Sequence, residues 1–478
     1  MKKSLILLIL CFTLLEGNTQ FYQAVHGSNF AGSLGMMNNP ASALNSPKPW
    51  DITLFGFQVR NSTNLLYLER YGPTKKQEQL LAFYKNGDFK KRLNNALNLN
   101  IINTRLRVSN KTAIGFGMNV RSASNASSST YNYQDSLSHV NSFFLINDQN
   151  QPLQASVTNS TWLELFGTIA HNLIDSKNLI WNAGISMKAN KGMFGFVANL
   201  DNAVYSRIIP PYPVYQLNDI NLRYIYSGNL DKWDPAKSFS TNLSNYAGSS
   251  EGGASIDIGM EWIIKDRKNI ELFENKTQYN YTWKIGVSLL DLGYAQYKHG
   301  VLSGNVSGIK PNINGLILSQ KFDSTITDLA TFNDSVKTVV NQFNFYYGKF
   351  RVAHPTRWVI NVDHTITDVF SINAELSLPA SFLPAAKYYN LRTLPSLTIT
   401  PRMEGSRYGA YLPLTINGEG YFWMGAAVKA GPLLLGMHNI LPFFQKIPYP
   451  NGGGYLAYVI SPSEKLRKAK SKDVKCPD

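Results

Sequence analysis

The stretch ASIDIGMEW, residues 254–262, decides the fold of this chain. Side chains along a β-strand point alternately to its two faces. The apolar face of this stretch carries Ile256, Ile258, Met260 and Trp262, and the polar face carries Ser255, Asp257, Gly259 and Glu261. Alternating segments of about ten residues recur about a dozen times, which is the pattern of a transmembrane β-barrel with an apolar exterior and a polar lumen.

The N-terminus has the layout of a secretory signal peptide. Two lysines precede an apolar run over residues 5–15, and small or polar residues follow. This layout predicts an export signal over residues 1–19, cleaved close to Gln20. Cys11 lies in the apolar run without the small residues that precede a lipidated cysteine, so we expect it to leave with the signal.

Composition limits the compartment and the partners. After cleavage only Cys476 remains, so the mature chain cannot form an internal disulfide, which favours a bacterial product. The formal net charge of +15 suits contact with anionic outer-membrane lipid and lipopolysaccharide, and export argues against nucleic acid as a partner. No run of apolar residues is long enough for a membrane-spanning helix, and aromatic residues at 12% suit the interfacial girdles of a barrel.

The predicted barrel occupies residues 51–461 and has about fourteen antiparallel strands, give or take about two. Asn110-Lys111 and Asn417-Gly418 are predicted hairpin turns. The predicted strands lie at 51–60, 100–108, 112–121, 161–171, 179–189, 194–205, 254–264, 281–290, 301–309, 358–364, 369–378, 397–403, 408–416, 421–429, 433–441 and 453–460.

Four segments depart from the alternation. Residues 75–96 interleave charges with leucines at helical spacing, which predicts a periplasmic or plug helix. Residues 122–157, 210–246 and 310–349 are polar and are predicted to be long surface loops. Short turns at one end and long insertions at the other are typical of outer-membrane barrels.

Charged residues occupy the predicted lumen face of several strands; they are Arg105, Arg121, Lys188, Asp257, Glu261, Lys284, Asp363 and Glu375. The basic members could form a constriction that attracts anions. Alternatively, they pair with the carboxylates in a filled interior, and we favour this second interpretation because small barrels with a hatch are usually filled.

A β-sandwich or a two-domain secreted protein is the structural alternative. Half-buried strands of soluble sheets alternate as well, and the charged face could then be the solvent face. The number of strands and the long loops without disulfides favour the barrel.

Residues 28–43, with the sequence SNFAGSLGMMNNPASA, resemble the N-terminal segment of long-chain fatty-acid transporter-like barrels, a group that includes the type IX secretion barrel. The resemblance implies a hatch at residues 20–50 inside a fourteen-stranded barrel, with Asn39, Pro40 and Ala41 as its Asn-Pro-Ala motif. Residues 29–57 and 407–440 more closely resemble the uncharacterised DUF5723 outer-membrane proteins of Bacteroidota.

The C-terminus departs from the transporter pattern. Those barrels end on an aromatic residue of the last strand, whereas this chain continues into a basic tail over residues 462–478. The last six residues resemble the start of a linker to a peptidoglycan-binding domain. Because that domain is not part of the sequence, cell-wall anchoring is not carried over. A solvated tail is the default interpretation.

Two short motifs suggest hydrolase chemistry, but their surroundings argue against it. His26, Ser28 and Asn29 match a phospholipase motif, yet they lie in a glycine-rich coil rather than on a barrel wall. The Gly-x-Ser-x-Gly match at residues 248–252 precedes a strand and follows a loop, whereas a nucleophile elbow joins a strand to a helix. The histidines have no metal-ligand spacing. We therefore expect no enzyme activity, metal or cofactor.

The sequence predicts passage of a hydrophobic or amphipathic small molecule across the outer membrane. The alternative is a membrane anchor or assembly platform for secretion or surface proteins, which the three long insertions motivate. Fold alone does not decide between them.

Overall fold

The computed structural model describes residues 22–69, 81–137, 139–209, 212–265, 281–444 and 451–462. The predicted signal peptide, Cys476 and the predicted tail after residue 462 lie outside these residues.

The main sheet closes on itself. The strands, labelled in chain order, are β1 Trp50–Thr63, β2 Leu66–Glu69, β3 Leu81–Tyr84, β4 Gly87–Arg107, β5 Thr112–Tyr133, β6 Leu153–Asp175, β7 Leu179–Ile209, β8 Tyr212–Tyr226, β9 Gly252–Ile264, β10 Trp283–Lys298, β11 Gly304–Ile309, β12 Val340–Phe345, β13 Lys349–Ala353, β14 Arg357–Thr365, β15 Phe370–Pro379, β16 Tyr389–Asn390, β17 Ser396–Glu404, β18 Tyr408–Tyr411, β19 Leu414–Asn417, β20 Phe422–Met424, β21 Ala426–Ala430, β22 Leu433–Met437 and β23 Asn451–Ile460. β1 pairs with β4 on one side and with β23 on the other. The barrel has 14 antiparallel strands when β13–β14, β18–β19 and β20–β21 are each counted as one interrupted strand and β8, β11, β12 and β16 are left out as additions beyond the barrel wall.

The described helices are short; three of them precede β1 and the others lie between strands. The α-helices are Val140–Ile146, Phe239–Gly248, Gly315–Lys321, Leu329–Val339 and Leu441–Phe444, and the 3-10 helices are Gln23–Val25, Gly32–Met37, Pro40–Leu44 and Leu230–Lys232. Over the described ranges, none of the helices has the length and apolar character needed to cross a bilayer.

Burial in the barrel is inverted relative to a soluble protein. On β9, Ile258 and Met260 are 41% and 39% exposed, whereas Asp257 and Glu261 are 1% and 4% exposed. The same inversion runs around the wall, with apolar side chains outside and polar side chains inside. Apolar side chains on an outer surface are stable only where lipid covers them. Closure and inversion together exclude the β-sandwich and confirm the predicted barrel.

The two ends of the barrel differ. At one end, called the turn end, β4–β5, β6–β7, β14–β15, β17–β18 and β21–β22 are joined by tight turns. At the other, called the loop end, β8, β11 and β12 form a small sheet that packs with three helices around a core of its own. This core is rich in aromatic residues, and Phe144 stacks on Tyr205 at 4.2 Å between ring centroids.

The predicted helix over residues 75–96 is wrong for its described part. Residues 81–84 and 87–96 belong to strands β3 and β4, and residues 75–80 lie outside the described residues. β4 pairs with β5 from Gly87 onward. Beyond the lipid band both faces of a strand can be polar, so alternation is lost and cross-strand pairing overrides the helical spacing.

The three insertions were also predicted wrongly as loops. β5 and β6 extend far into residues 122–157, residues 210–246 contain β8 and a helix, and residues 310–349 contain two helices and β12. The predicted strand at 194–205 is a continuation of β7. The reason is the same, because long strands and a folded cap outside the lipid do not need an apolar outer face.

The wall has two unlike parts. The continuous wall, defined as β4–β7, β9 and β10, consists of uninterrupted strands of 13 to 31 residues. The interrupted wall, defined as β18–β23, breaks between β18 and β19 at Pro413 and between β20 and β21 at Gly425. Gly425 N donates to Pro413 O at 2.7 Å, and Leu412 N donates to Pro401 O at 3.1 Å. Proline has no backbone N–H group. Pro401 and Pro413 therefore leave neighbouring strands without hydrogen-bond donors at the same height of the barrel.

Candidate functional site

Residues 22–49, called the inner segment, lie inside the barrel. They are almost entirely buried, with Tyr22, Ala24 and Ala43 at 0% exposure. The predicted coil in this region is organised into three short 3-10 helices. The segment precedes Trp50 at the turn end, so it fills the lumen from that end.

The continuous wall receives the Asn-Pro-Ala motif in a seat made of glycines. Gly184 and Gly259 face each other on β7 and β9, and Gly286 lies on β10. A Cβ atom at Gly184 would lie 2.5 Å from Ala41 N, and one at Gly259 would lie 2.0 Å from Asn39 Oδ1. Both distances are too short for real contacts. Glycine at these positions therefore allows the backbone of the inner segment to lie directly against the wall. We call the three residues the glycine seat.

The motif itself is held by hydrogen bonds. Asn39 Oδ1 accepts from Ala41 N at 3.0 Å and caps the helix that begins at Pro40. Asn39 Nδ2 donates to Met260 O at 3.1 Å on β9. One asparagine thus joins the inner segment to the wall and starts its last helix.

An arginine holds the end of the inner segment to β4. Arg105 Nε donates to Asp51 Oδ2 at 2.6 Å and its Nη1 donates to Ala43 O at 3.1 Å. Ser33 Oγ lies 2.8 Å from Thr53 Oγ1 on β1. Both contacts are buried. The hydrogen bond between Arg105 and Asp51 is charge-assisted, and such a bond is strong in a buried site.

The first turn of the inner segment contacts β15 and β17. His26 Nδ1 lies 2.8 Å from Glu375 Oε2, and Ser28 Oγ donates to Glu404 Oε2 at 2.7 Å. Arg402 Nη1 donates to His26 O at 3.0 Å. The histidine and serine of the phospholipase-like motif therefore face two different glutamates.

The opposite side of the inner segment is apolar and faces the interrupted wall. Tyr22, Ala24, Val25, Ala31, Leu34 and Met37 of the segment pack with Tyr411, Ala427, Leu434, Tyr455 and Ala457 of the wall. A cavity of about 50 Å³ lies on this side, lined among others by Phe30, Leu434 and Val459. Lys429 is also on its lining, with Nζ 5.1 Å from the Phe30 ring centroid. The segment thus has a polar side and an apolar side.

Six buried charges form an ionic cluster at mid-height on the lumen face of the wall. Its members are Arg121, Lys188, Arg357, Glu164, Asp257 and Asp291, three cations and three carboxylates. Asp291 accepts from both Nη atoms of Arg121 at 2.6 and 2.8 Å and from Arg357 Nη1 at 2.7 Å. The cluster is electrically balanced and crosses from β5 to β14.

Asp291 occupies this position because β10 is irregular. Its φ is +60°, and the pairing of β10 with β9 shifts between Leu289 and Leu292. A bulge of this kind re-aims a side chain, and aspartate tolerates the left-handed region better than most residues. The bulge turns the Asp291 carboxylate into the lumen.

The structure places all eight predicted lumen-facing charged residues in the interior, and it shows the expected pairing only for Lys188. Lys188 Nζ lies 2.6 Å from Asp257, whereas Arg105 pairs with Asp51 and Glu375 faces His26. Sequence reasoning missed Asp51, Glu164, Asp291, Arg357, Arg402 and Glu404. Alternation along β17 could have identified Arg402 as lumen-facing. The bulge at Asp291 breaks the alternation of β10, so the sequence pattern does not identify Asp291.

The second hydrolase-like motif is part of a capped helix end. The segment at residues 248–252 follows the helix Phe239–Gly248 rather than a loop, and Ser250 Oγ donates to Tyr246 O at 3.0 Å. In the part of the chain that the structure describes, no three His, Cys, Asp or Glu side chains come together as a metal site.

A family model matches residues 40–438 and is described as a family of unknown function, DUF5723. The chain belongs to the DUF5723 family. The match begins at Pro40 of the Asn-Pro-Ala motif, includes the continuous wall and most of the interrupted wall, and confirms the DUF5723 resemblance seen in the sequence. No curated protein has a matching sequence.

Several solved barrels are similar to this DUF5723 protein at low identity. The Pseudomonas putida toluene transporter TodX is 8% identical, with 94% of this chain and 100% of that chain covered and a TM-score of 0.45. A Pseudomonas aeruginosa FadL homologue is 8% identical, with 93% and 98% covered and a TM-score of 0.41. The Ralstonia pickettii toluene transporter TbuX is 10% identical, with 94% and 99% covered and a TM-score of 0.40.

Proposed function

We propose that this protein is an outer-membrane barrel in which the inner segment is a hatch that controls the passage of hydrophobic or amphipathic small molecules. The apolar exterior supports insertion in a membrane. Short turns face the periplasm in outer-membrane barrels, so the inner segment would enter from the periplasmic side.

The observation that carries the proposal is the two-sided character of the inner segment. Towards the continuous wall it makes directional hydrogen bonds and fits the glycine seat. Towards the interrupted wall its contacts are mainly apolar, and the hydrogen bonds there include Gln23 Nε2 to Thr415 Oγ1 at 3.1 Å and Lys429 Nζ to Phe30 O at 3.5 Å. Apolar contacts are non-directional and can re-form after a shift. A hydrophobic molecule would therefore pass between the inner segment and the interrupted wall.

Passage requires the inner segment to move. The cavity on its apolar side has a volume of about 50 Å³, whereas an apolar cavity that holds benzene has about 150 Å³. Under this proposal the arrangement described here is the closed state, and an opening would begin at the apolar contact.

A reversible disulfide tests the hatch. Ser33 Oγ and Thr53 Oγ1 are 2.8 Å apart, so Ser33→Cys with Thr53→Cys should bond in the oxidised state. Cys476→Ser removes the competing thiol. In cells with a lipopolysaccharide outer membrane, the rate of N-phenyl-1-naphthylamine uptake should fall to the empty-vector rate on oxidation and recover on reduction.

The control is Ser33→Cys with Cys476→Ser alone, which cannot form the bond and should ignore the oxidant. Heat-dependent mobility in gels checks that each variant is a folded barrel. Equal uptake by the oxidised and reduced double-cysteine variant would contradict the hatch.

A second candidate function is an assembly platform for a secretion or surface protein. It is favoured by the folded cap at the loop end, which has its own aromatic core. Purification of the tagged full chain from native membranes would test it. A stoichiometric partner that stays bound to the oxidised Ser33→Cys/Thr53→Cys variant would favour the platform, and a barrel that retains only amphiphile would favour the hatch.

A further inference from the structure

A small polar cavity lies between the inner segment and the continuous wall. Its volume is about 20 Å³, and its lining includes Asn38, Ser42 and Asn45 of the inner segment and Glu261 of β9. Glu261 lies opposite Gly286 on β10, and the missing side chain there leaves the space. A cavity of this size holds one water molecule or one small ion.

Four oxygen atoms on this lining are left without partners. Among the described residues, the buried atoms Asn38 Oδ1, Ser42 Oγ, Asn45 Oδ1 and Glu261 Oε2 have no hydrogen-bond partner. Three of them can only accept, and the hydroxyl can donate a single hydrogen. Buried acceptors without donors are costly, so the set calls for a positive charge or several N–H or O–H groups.

Glu261 supplies a charge without a nearby counter-ion. It is 4% exposed, and over the described ranges no Lys, Arg or His nitrogen lies within 4.0 Å of its carboxylate. Lys284, on the next strand, donates to Asn29 Oδ1 at 2.7 Å instead. The ionic cluster shows the contrast, because each of its carboxylates has a cation within 3 Å.

We propose that this cavity binds a monovalent cation of about the size of sodium, held by Glu261, Asn38, Asn45 and Ser42. Oxygen ligands suit a hard cation. A single carboxylate with neutral oxygens balances one positive charge, whereas calcium and magnesium sites draw on more carboxylates. The cation would join the inner segment to β9 and would stabilise the closed barrel.

Thermal unfolding of the full chain in non-ionic detergent tests the site. Sodium chloride is compared with choline chloride at equal ionic strength, so that charge screening is matched. The Tm should rise in sodium by about 1–3 °C and saturate, as expected for a ligand of the folded state. Glu261→Gln should abolish the difference, and Ser42→Ala should shift it to higher sodium concentration.

Glu251→Gln is the matched control, because Glu251 faces Lys349 at the loop end and its loss should leave the sodium response intact. Heat-dependent gel mobility shows whether Glu261→Gln still folds, and Ser42→Ala tests the site without removing a charge.

Equal Tm values of the wild type in sodium and choline would overturn the proposal. They would indicate that Glu261 is protonated or that the cavity holds a water molecule. A larger rise with calcium than with sodium would overturn the monovalent assignment. The measurement uses no transported molecule, so its outcome is separate from that of the hatch.

Discussion

The continuous and interrupted walls of one barrel hold the same segment by different means. β7 in the continuous wall has 31 residues, and β22 in the interrupted wall has 5. The continuous wall contributes the glycine seat and most of the ionic cluster, whereas the interrupted wall contributes a mainly apolar contact and two breaks. The difference supports the proposal that the inner segment stays attached to the continuous wall and separates from the interrupted wall.

The largest expected effect comes from breaking the ionic cluster. Asp291→Asn leaves three cations with two carboxylates in a buried site. Removal of one partner from a buried ionic group costs about 3–5 kcal/mol. The free energy of unfolding from lipid bilayers should fall by that amount.

The matched control for the cluster is Asp201→Asn, because the Asp201 side chain is 58% exposed and lies 3.7 Å from Arg223. Its effect should stay below about 1 kcal/mol. If the two substitutions cost the same, the cluster does not stabilise the continuous wall.

The second effect is on the glycine seat. A methyl group at Gly184 would meet the backbone of Pro40 and Ala41 at 2.5 Å, and overpacking of this kind costs about 1–3 kcal/mol. Gly184→Ala should therefore loosen the inner segment. The measurement is the rate at which a maleimide labels a cysteine at position 33 in a Cys476→Ser background, and it should rise about ten-fold.

Gly167→Ala is the control for the seat, since a Cβ atom there meets nothing within 4 Å. Its labelling rate should equal that of the parent. An unchanged rate in Gly184→Ala would mean that the seat does not position the Asn-Pro-Ala motif.

The smallest effect needs no substitution. Backbone amides of β19–β22 should exchange with deuterium faster than those of β5–β7, by about ten-fold, because broken ladders open locally at lower cost. Mass spectrometry of the exchanged protein in nanodiscs gives both rates in one experiment. Uniform protection around the barrel would remove the distinction between the two walls.

Much of the fold follows from alternation, because alternation reports the contrast between lipid and lumen. Ile258 and Asp257 show that contrast directly. The hairpin predicted at Asn417-Gly418 joins β19 to β20, but its turn spans residues 418–421 rather than two residues. Outside the lipid band the contrast disappears. The helix predicted at 75–96 and the three loops were wrong for that reason.

The site was less predictable than the wall. The Asn-Pro-Ala residues could be named from a resemblance, but their glycine seat depends on the register between β7, β9 and β10. Gly184 and Gly259 lie 75 positions apart in sequence and face each other only after pairing. Asp291 is hidden by its bulge, and the orphan oxygens around Glu261 appear only when two distant segments meet.

The most direct test is to measure on which side the inner segment moves away from the barrel wall. Spin labels can be placed at position 48 of the inner segment and at exposed turns on each side, at position 111 between β4 and β5 and at position 407 between β17 and β18. Distances are measured by pulsed electron spin resonance in nanodiscs, with and without N-phenyl-1-naphthylamine. The account predicts that the 48–407 distance lengthens and broadens while the 48–111 distance stays fixed. Equal movement in both pairs, or movement confined to the 48–111 pair, would contradict it.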